Sequence, residues 1–274
     1  MRYAPRRMRD LTDRALDTAT LLGAGYADVR VVRRLEESIA IKTGRVEGVA
    51  SGESEGFGLR VLVDGAWGFA SSHILTAAEA DRVAAEAVRI ARASATALRD
   101  PTVLDDRPPA QGTYETPIRE DPFAVPLDRK IADLLAADQA ASRVKGIAFT
   151  ESMYAAQREW KTFSATDGSY TEQTITHCGA AVEANAVDGD EHQRRSYPDS
   201  GGGWNAAGYE YIRSLGLDER AEPLADEAVA LLTAPQCPSG RFTIILDPSQ
   251  LYLQVHESCG HPTELDRVFG TEAS

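Results

Sequence analysis

Residues 256–261, which read His-Glu-Ser-Cys-Gly-His, place two histidines five positions apart in the chain. An α-helix turns about 100° per residue, so five steps would leave the two imidazoles about 140° apart, nearly across the helix. A turn closed by an i to i+5 hydrogen bond would return them to one face, and such π-type turns gather at functional sites. Gly260 inside the turn and Pro262 just after it favour a distorted or terminating turn. The spacing therefore predicts one widened helical turn here.

Two histidines with a glutamate beside the first are typical of a zinc site. Neutral His256 and His261 would offer ring nitrogens to Zn²⁺, and Glu257 would take a proton from the bound water. A catalytic zinc usually has three protein ligands, so one more is needed. Cys259 or Glu264 could supply it, or it could come from elsewhere. The competing interpretation is a chance pairing of histidines on a helix, because the loose pattern has limited specificity.

Length and charge narrow the class of protein. A chain of 274 residues can bury a sizeable core and hold two domains. Its formal net charge of −13 disfavours a nucleic-acid partner. No stretch approaches the roughly 18 apolar residues of a membrane span, and no apolar signal-peptide core follows the basic residues 2–9. We therefore expect neither a nucleic-acid nor a membrane partner.

Cysteine usage indicates a reducing compartment. Cys178, Cys237 and Cys259 are three in number and widely spaced, which does not suggest a disulfide framework. A cytoplasmic location fits best. Cys178 and Cys237 are expected to be small buried residues.

Hydrophobic periodicity predicts a chain of helices and alternating strands. Helices are expected over residues 8–23, 76–98, 127–141 and 222–232. Strands are expected within residues 27–41, 57–63, 67–70, 147–149, 159–164, 170–176, 180–187 and 242–246. Tight turns are expected at residues 42–45, at Asp64-Gly65 and at Asp167-Gly168. Thr76 and Glu79 form a capping-box pattern at one helix start.

These elements predict an α+β fold, mainly an antiparallel sheet with packed helices. We expect a first domain over residues 1–235, with a sub-boundary in residues 100–126, which are rich in Pro, Asp and Arg and read as a surface connection. Residues 236–274 would begin a second domain with 242–246 as a central strand. One strand and one helix cannot close a core, so we expect this second domain to be incomplete.

Several segments resemble the TldD/PmbA family of zinc metallopeptidases, and specifically its TldD-like, HExxxH-bearing member. The most specific part is Phe-Thr-Ile-Ile-Leu-Asp-Pro (242–248), followed by the block 251–261 and by Pro-Thr-Glu-Leu-Asp (262–266). Residues 56–60 and 64–72 resemble the glycine-rich hairpin of the family's N-terminal domain, and residues 164–168 resemble a second family segment. The resemblance thus covers essentially the whole chain and makes 236–274 the start of a metallopeptidase domain.

The resemblance implies a cytoplasmic peptidase that acts on small or unfolded peptides as a homodimer or as a heterodimer with a PmbA-like subunit. It implies that His256 and His261 bind zinc and that Glu257 is the base. In the family the third ligand is a cysteine from a later part of the C-terminal domain, and that cysteine has no counterpart up to Ser274. A second hypothesis follows, in which the chain is a non-catalytic dimerisation or regulatory module with an incomplete metal site.

Overall fold

A computed structural model describes residues 5–199 and 202–272 of the chain. The chain forms two compact units, Met1–Leu232 and Thr233–Ser274. The strands of the described residues all lie in the first unit. Their bounds are β1 (Tyr26–Lys42), β2 (Arg45–Val63), β3 (Ala66–Ser72), β4 (Gln111–Glu115), β5 (Ile147–Ala165), β6 (Tyr170–Asp188), β7 (Glu191–Tyr197) and β8 (Gly203–Asn205). The helices of this unit are α1 (Pro5–Leu21), α2 (Ala77–Ala95), α3 (Leu127–Ser142), α4 (Tyr209–Leu215) and α5 (Leu217–Leu231).

One eight-stranded sheet organises the first unit. The strand order is β3-β2-β1-β5-β6-β4, and β7 and β8 also pair with β6. All recorded pairings are antiparallel except that of β4 with β6, which is parallel. The predicted α+β class, a mainly antiparallel sheet with packed helices, is confirmed.

Tight turns join the long strands at the predicted places. Thr43 and Gly44 between β1 and β2 have φ of 46° and 73°, and Asp64 and Gly65 between β2 and β3 have φ of 49° and 78°. Two consecutive residues with positive φ make a two-residue hairpin turn whose twist matches the strands. The strands themselves are longer than predicted, since β5 and β6 each run unbroken for 19 residues.

Two groups of helices cover opposite ends of the same sheet face. Side chains two apart on a strand share a face. Val29 and Val31 of β1 belong to the core formed with α1 and α2, whereas Ile39 and Ile41 belong to the core formed with α3, α4 and α5. Glu37 lies on this face next to Ile39 and forms an ion pair with Lys130 of α3. A partly buried ion pair thus borders the second core.

The connection over residues 100–126 differs from the prediction. It contains β4, which pairs in parallel with residues 170–174 of β6. Directly after β4, the Thr116 hydroxyl accepts a hydrogen bond from the Thr176 N–H at 3.1 Å. All five side chains of β4 are exposed, so the strand has no hydrophobic alternation that a sequence pattern could report. Backbone hydrogen bonds hold it at the sheet.

The second unit is helical where it has regular structure. It contains α6 (Pro248–Val255), a π-helical turn (His256–Gly260), a 3₁₀ turn (His261–Thr263) and α7 (Leu265–Phe269). The prediction of a central strand at residues 242–246 is wrong for the described chain, where these residues have no regular structure. A strand needs a neighbouring strand for its backbone groups, and this unit offers helices alone. The side chain of Ile245 is accordingly 98% exposed.

Cys178 is buried as expected, but Cys237 is exposed, because it lies in the irregular segment that follows α5. None of the described helices is long and apolar enough to cross a bilayer.

Candidate metal centre

The helix that leads into the motif begins with a strong cap. The Asp247 carboxylate accepts a hydrogen bond from the Ser249 N–H at 2.9 Å, and Pro248 occupies the first turn of α6. Both residue types are favoured at these positions, because the cap satisfies an otherwise unpaired N–H and proline has none to satisfy. The same N–H lowers the pKa of Asp247. The cap starts the helix two turns before His256.

The widened turn predicted from the histidine spacing is confirmed. Residues His256–Gly260 form a π-helical turn, and the N–H of His261 donates to the carbonyl of His256. An i to i+5 hydrogen bond brings residues five apart to the same face. The two imidazole rings lie with their centroids 4.5 Å apart and their planes at 87°. The turn therefore brings both histidines to one place.

The backbone angles of this turn do not require glycine at position 260, and the Thr263 side chain supports the end of the turn. Gly260 has φ −68° and ψ −67°, within the helical region, and a Cβ added there would meet nothing within 4 Å. The turn is distorted as expected, but the missing Cβ of Gly260 is not what permits it. Pro262 has no N–H to donate. The Thr263 hydroxyl instead donates to the carbonyls of Cys259 and Gly260, at 3.0 and 2.9 Å.

The three predicted site residues lie together. One ligand atom from each of His256, Glu257 and His261 falls within 4.8 Å of the others. The His261 Nε2 and the Glu257 Oε2 are 3.7 Å apart. Two imidazoles that can bind the metal, with a carboxylate beside them that can reach a metal-bound water, have the chemistry of a zinc site.

The described residues offer this group no further ligand. Cys259 and Glu264 both lie nearby in sequence, but among residues 5–199 and 202–272 neither joins the ligand cluster. Glu264 contacts the site in another way, since its Oε1 lies 2.9 Å from the Nδ1 of His261. Sequence reasoning placed Glu264 among the candidate ligands and missed this contact, although the i, i+3 spacing permits it. His256 and Glu257 are exposed, so the open side of the cluster is accessible in this unit.

Two family models match the chain over most of the first unit. Residues 27–91 match PmbA/TldA metallopeptidase domain 1, and residues 120–234 match the PmbA/TldA metallopeptidase central domain. The chain belongs to the PmbA/TldD metallopeptidase family. The matched regions hold most of the sheet and of its helices, without α1 and β4, whereas the candidate metal-binding residues of this family member lie beyond residue 234.

Relatives and solved structures agree with this assignment. The chain is 30% identical over 243 residues to a metalloprotease of Methanothermobacter thermautotrophicus, covering 89% of this chain and 51% of that protein. It is 26% identical over 250 residues to a metalloprotease of Methanocaldococcus jannaschii, covering 90% of this chain and 53% of that one. This PmbA/TldD chain thus spans about half the length of these relatives.

The fold is also similar to that of a crystallised protein of Thermotoga maritima, described as a candidate modulator of DNA gyrase. The TM-score is 0.64 at 16% sequence identity, over 85% of this chain and 50% of that one. At this identity the likeness shows the shared fold alone.

Proposed function

We propose that this chain is part of a zinc-dependent peptidase in which His256 and His261 bind the metal and Glu257 is the general base. The observation that carries the proposal is the convergence of these three side chains within 4.8 Å on a π-helical turn. Membership of a metallopeptidase family and relatives named metalloprotease support it.

Each residue has a role that its position allows. The imidazoles of His256 and His261 hold the metal through ring nitrogens. Bound zinc would supply Lewis acidity toward the scissile carbonyl and its water. The Glu257 carboxylate, on the Nε2 side of His261, accepts the proton of the attacking water and returns it to the leaving nitrogen. A third ligand comes from outside this cluster, in keeping with the usual three protein ligands of catalytic zinc.

The proposal extends to substrate, partner and location. We infer that the substrates are small or unfolded peptides, as the resemblance to the TldD/PmbA family implies. The working form is a homodimer or a heterodimer with a PmbA-like subunit, in the cytoplasm. The free thiols of all three cysteines are compatible with a reducing compartment.

The test of the base is Glu257→Gln in the full chain. The amide keeps the shape of the carboxylate but does not accept the proton, so we expect zinc content to stay unchanged and peptide hydrolysis to fall by about 10²- to 10⁴-fold. Glu47→Gln, at an exposed glutamate of β2, is the matched control and should hydrolyse normally. Normal hydrolysis by Glu257→Gln would exclude the assigned role.

A second candidate function is a non-catalytic dimerisation or regulatory module. The observation that favours it is that the cluster contains two histidines and one glutamate, without a third histidine or a cysteine, in the described residues. Such a site should hold zinc weakly. Metal analysis of the 274-residue chain distinguishes the two candidates. Stoichiometric zinc that resists a chelator would contradict the second one, and His256→Ala should then remove the metal.

A further inference from the structure

Glu264 contacts the proposed ligand His261 from the side opposite to Glu257. Its Oε1 lies 2.9 Å from Nδ1 of the imidazole, within hydrogen-bond distance. A carboxylate accepts and does not donate, so Nδ1 carries the proton in this contact. A neutral imidazole protonated at Nδ1 has its lone pair on Nε2. The contact therefore selects the nitrogen that is free for a metal.

The free nitrogen faces the rest of the cluster. His261 Nε2 lies 3.7 Å from Glu257 Oε2, too far for a direct hydrogen bond. The two glutamates thus lie at the two nitrogens of one ring. Glu257 lies on the side of Nε2, where a metal would bind, and Glu264 lies on the side of Nδ1.

The backbone after the π-helical turn places Glu264 where this contact forms. The Glu264 N–H donates to the His261 carbonyl at 3.1 Å, which closes the 3₁₀ turn between them. Glu264 then leaves the helical region, with φ −63° and ψ 133°, and precedes the first residue of α7. A main-chain hydrogen bond thus holds Glu264 next to His261, in addition to the contact between the two side chains.

A second contact restrains the other carboxylate oxygen. Arg267 Nε lies 3.7 Å from Glu264 Oε2 and 2.9 Å from Glu272 Oε2. The guanidinium thus links two glutamates, of which only Glu264 contacts the imidazole. This difference makes Glu272 a matched control for Glu264.

We propose that Glu264 is a positioning residue of the metal centre, which holds His261 as the Nδ1–H tautomer with Nε2 directed toward the metal. The inference rests on the proposed function, because it assumes that His261 is a ligand. A carboxylate behind a metal-bound histidine fixes the ring orientation and increases the basicity of the ligand nitrogen. Neither the family match nor the HExxxH pattern assigns this role to Glu264.

The first experiment measures zinc affinity by chelator competition in the full chain. Glu264→Ala removes the acceptor and should weaken zinc binding by about 10- to 100-fold. Glu264→Gln keeps an oxygen acceptor without the charge and should lose clearly less. Glu272→Ala removes a glutamate from the same Arg267 contact and should bind zinc as the unchanged chain does.

The second experiment reads the tautomer directly, by long-range ¹H–¹⁵N NMR of the metal-free chain at a pH where the imidazole is neutral. The unchanged chain should show His261 protonated at Nδ1, and Glu264→Ala should shift the ring toward the Nε2–H form. A tautomer that does not move, together with unchanged zinc affinity, would overturn the positioning role.

Failure of this inference can be separated from failure of the proposed function by His261→Ala. If His261→Ala abolishes zinc binding while Glu264→Ala does not weaken it, His261 remains a ligand and only the role of Glu264 is overturned. If His261→Ala binds zinc normally, the proposed metal centre itself is wrong.

Discussion

The N–H of His261 donates to the carbonyl of His256, five residues earlier in the chain. This one bond widens a single helical turn and sets the two imidazole rings 4.5 Å apart, centroid to centroid. The common zinc-peptidase spacing of four residues reaches the same result on an ordinary α-helix, because four steps return nearly to the starting face. The extra residue is thus accommodated by the π-helical turn.

Thr263→Val should loosen this turn and weaken zinc binding by up to about five-fold. The variant removes the hydroxyl that donates to the carbonyls of Cys259 and Gly260, and a hydrogen bond is worth about 1 kcal/mol. Gly260→Ala is the control and should change affinity by less than about two-fold, since an added Cβ meets nothing within 4 Å. Chelator competition measures both. A larger loss from Gly260→Ala would show that the turn needs glycine.

Gly68→Ala should strongly destabilise the first unit. A Cβ at Gly68 would lie 2.1 Å from the Ala87 carbonyl oxygen and 2.6 Å from the Ala91 nitrogen, both in the backbone of α2. A helix backbone cannot move aside as a flexible side chain can, so we expect a loss of about 1–3 kcal/mol or more in the free energy of unfolding. Urea unfolding measures it. Gly48→Ala in β2, with open space around the added Cβ, is the control, and equal midpoints for the two variants would contradict the close packing.

Substitutions at Lys130 and Glu37 should have coupled effects on the free energy of unfolding. The Lys130 side chain is 1% exposed, pairs with Glu37 and lies 5.2 Å from the centroid of the Tyr154 ring. Lys130→Met leaves the Glu37 carboxylate without its cation and should lower the free energy of unfolding by up to about 3 kcal/mol. The double variant Lys130→Met/Glu37→Leu should recover much of this loss. Additive effects in a double-mutant cycle would show that the pair does not interact.

Glu79 should contribute a pH-dependent part of the stability. Its side-chain hydrogen bond with Arg82, helped by Ser72, lowers the pKa of Glu79 from 4.5 to about 2. A carboxyl group whose pKa is lower in the folded than in the unfolded chain stabilises the fold at pH values above its unfolded-state pKa. This stabilisation is lost as the pH falls through its folded-state pKa. The contribution should therefore be complete above about pH 4.5 and lost progressively toward pH 2.

Glu79→Gln should flatten the dependence of unfolding free energy on pH within that window, as measured by urea unfolding at a series of pH values. Thr76→Ala gives the contrast. It removes the hydroxyl that accepts from the Glu79 N–H at 3.3 Å, a neutral cap worth about 1 kcal/mol at any pH. A Glu79→Gln curve parallel to that of the unchanged chain would contradict the lowered pKa.

Features with local causes could be predicted from the chain. The turns at residues 42–45 and at Asp64-Gly65 each contain a glycine with positive φ. The N-cap bond at Thr76 joins one hydroxyl to the nearby Glu79 N–H. The widened turn follows from the distance along the helix between His256 and His261. Each of these depends on atoms within about one turn, so the order of residues suffices to specify it.

Features that depend on a partner elsewhere in the chain could be identified only in the folded structure. Strand β4 exists because β6 offers hydrogen bonds to a segment with no apolar alternation. Residues 242–246 lack regular structure despite their apolar pattern because the described part of the second unit contains no partner strand. The contact of Glu264 with His261 belongs to this class in part, because the spacing allowed it but the side-chain direction places the carboxylate against Nδ1 of His261 and outside the cluster of His256, Glu257 and His261. The amino-acid sequence thus specifies turns, caps and the register of the histidines through local backbone preferences. The pairing of strands and the second contact of His261 arise only when folding brings separate groups within hydrogen-bond distance.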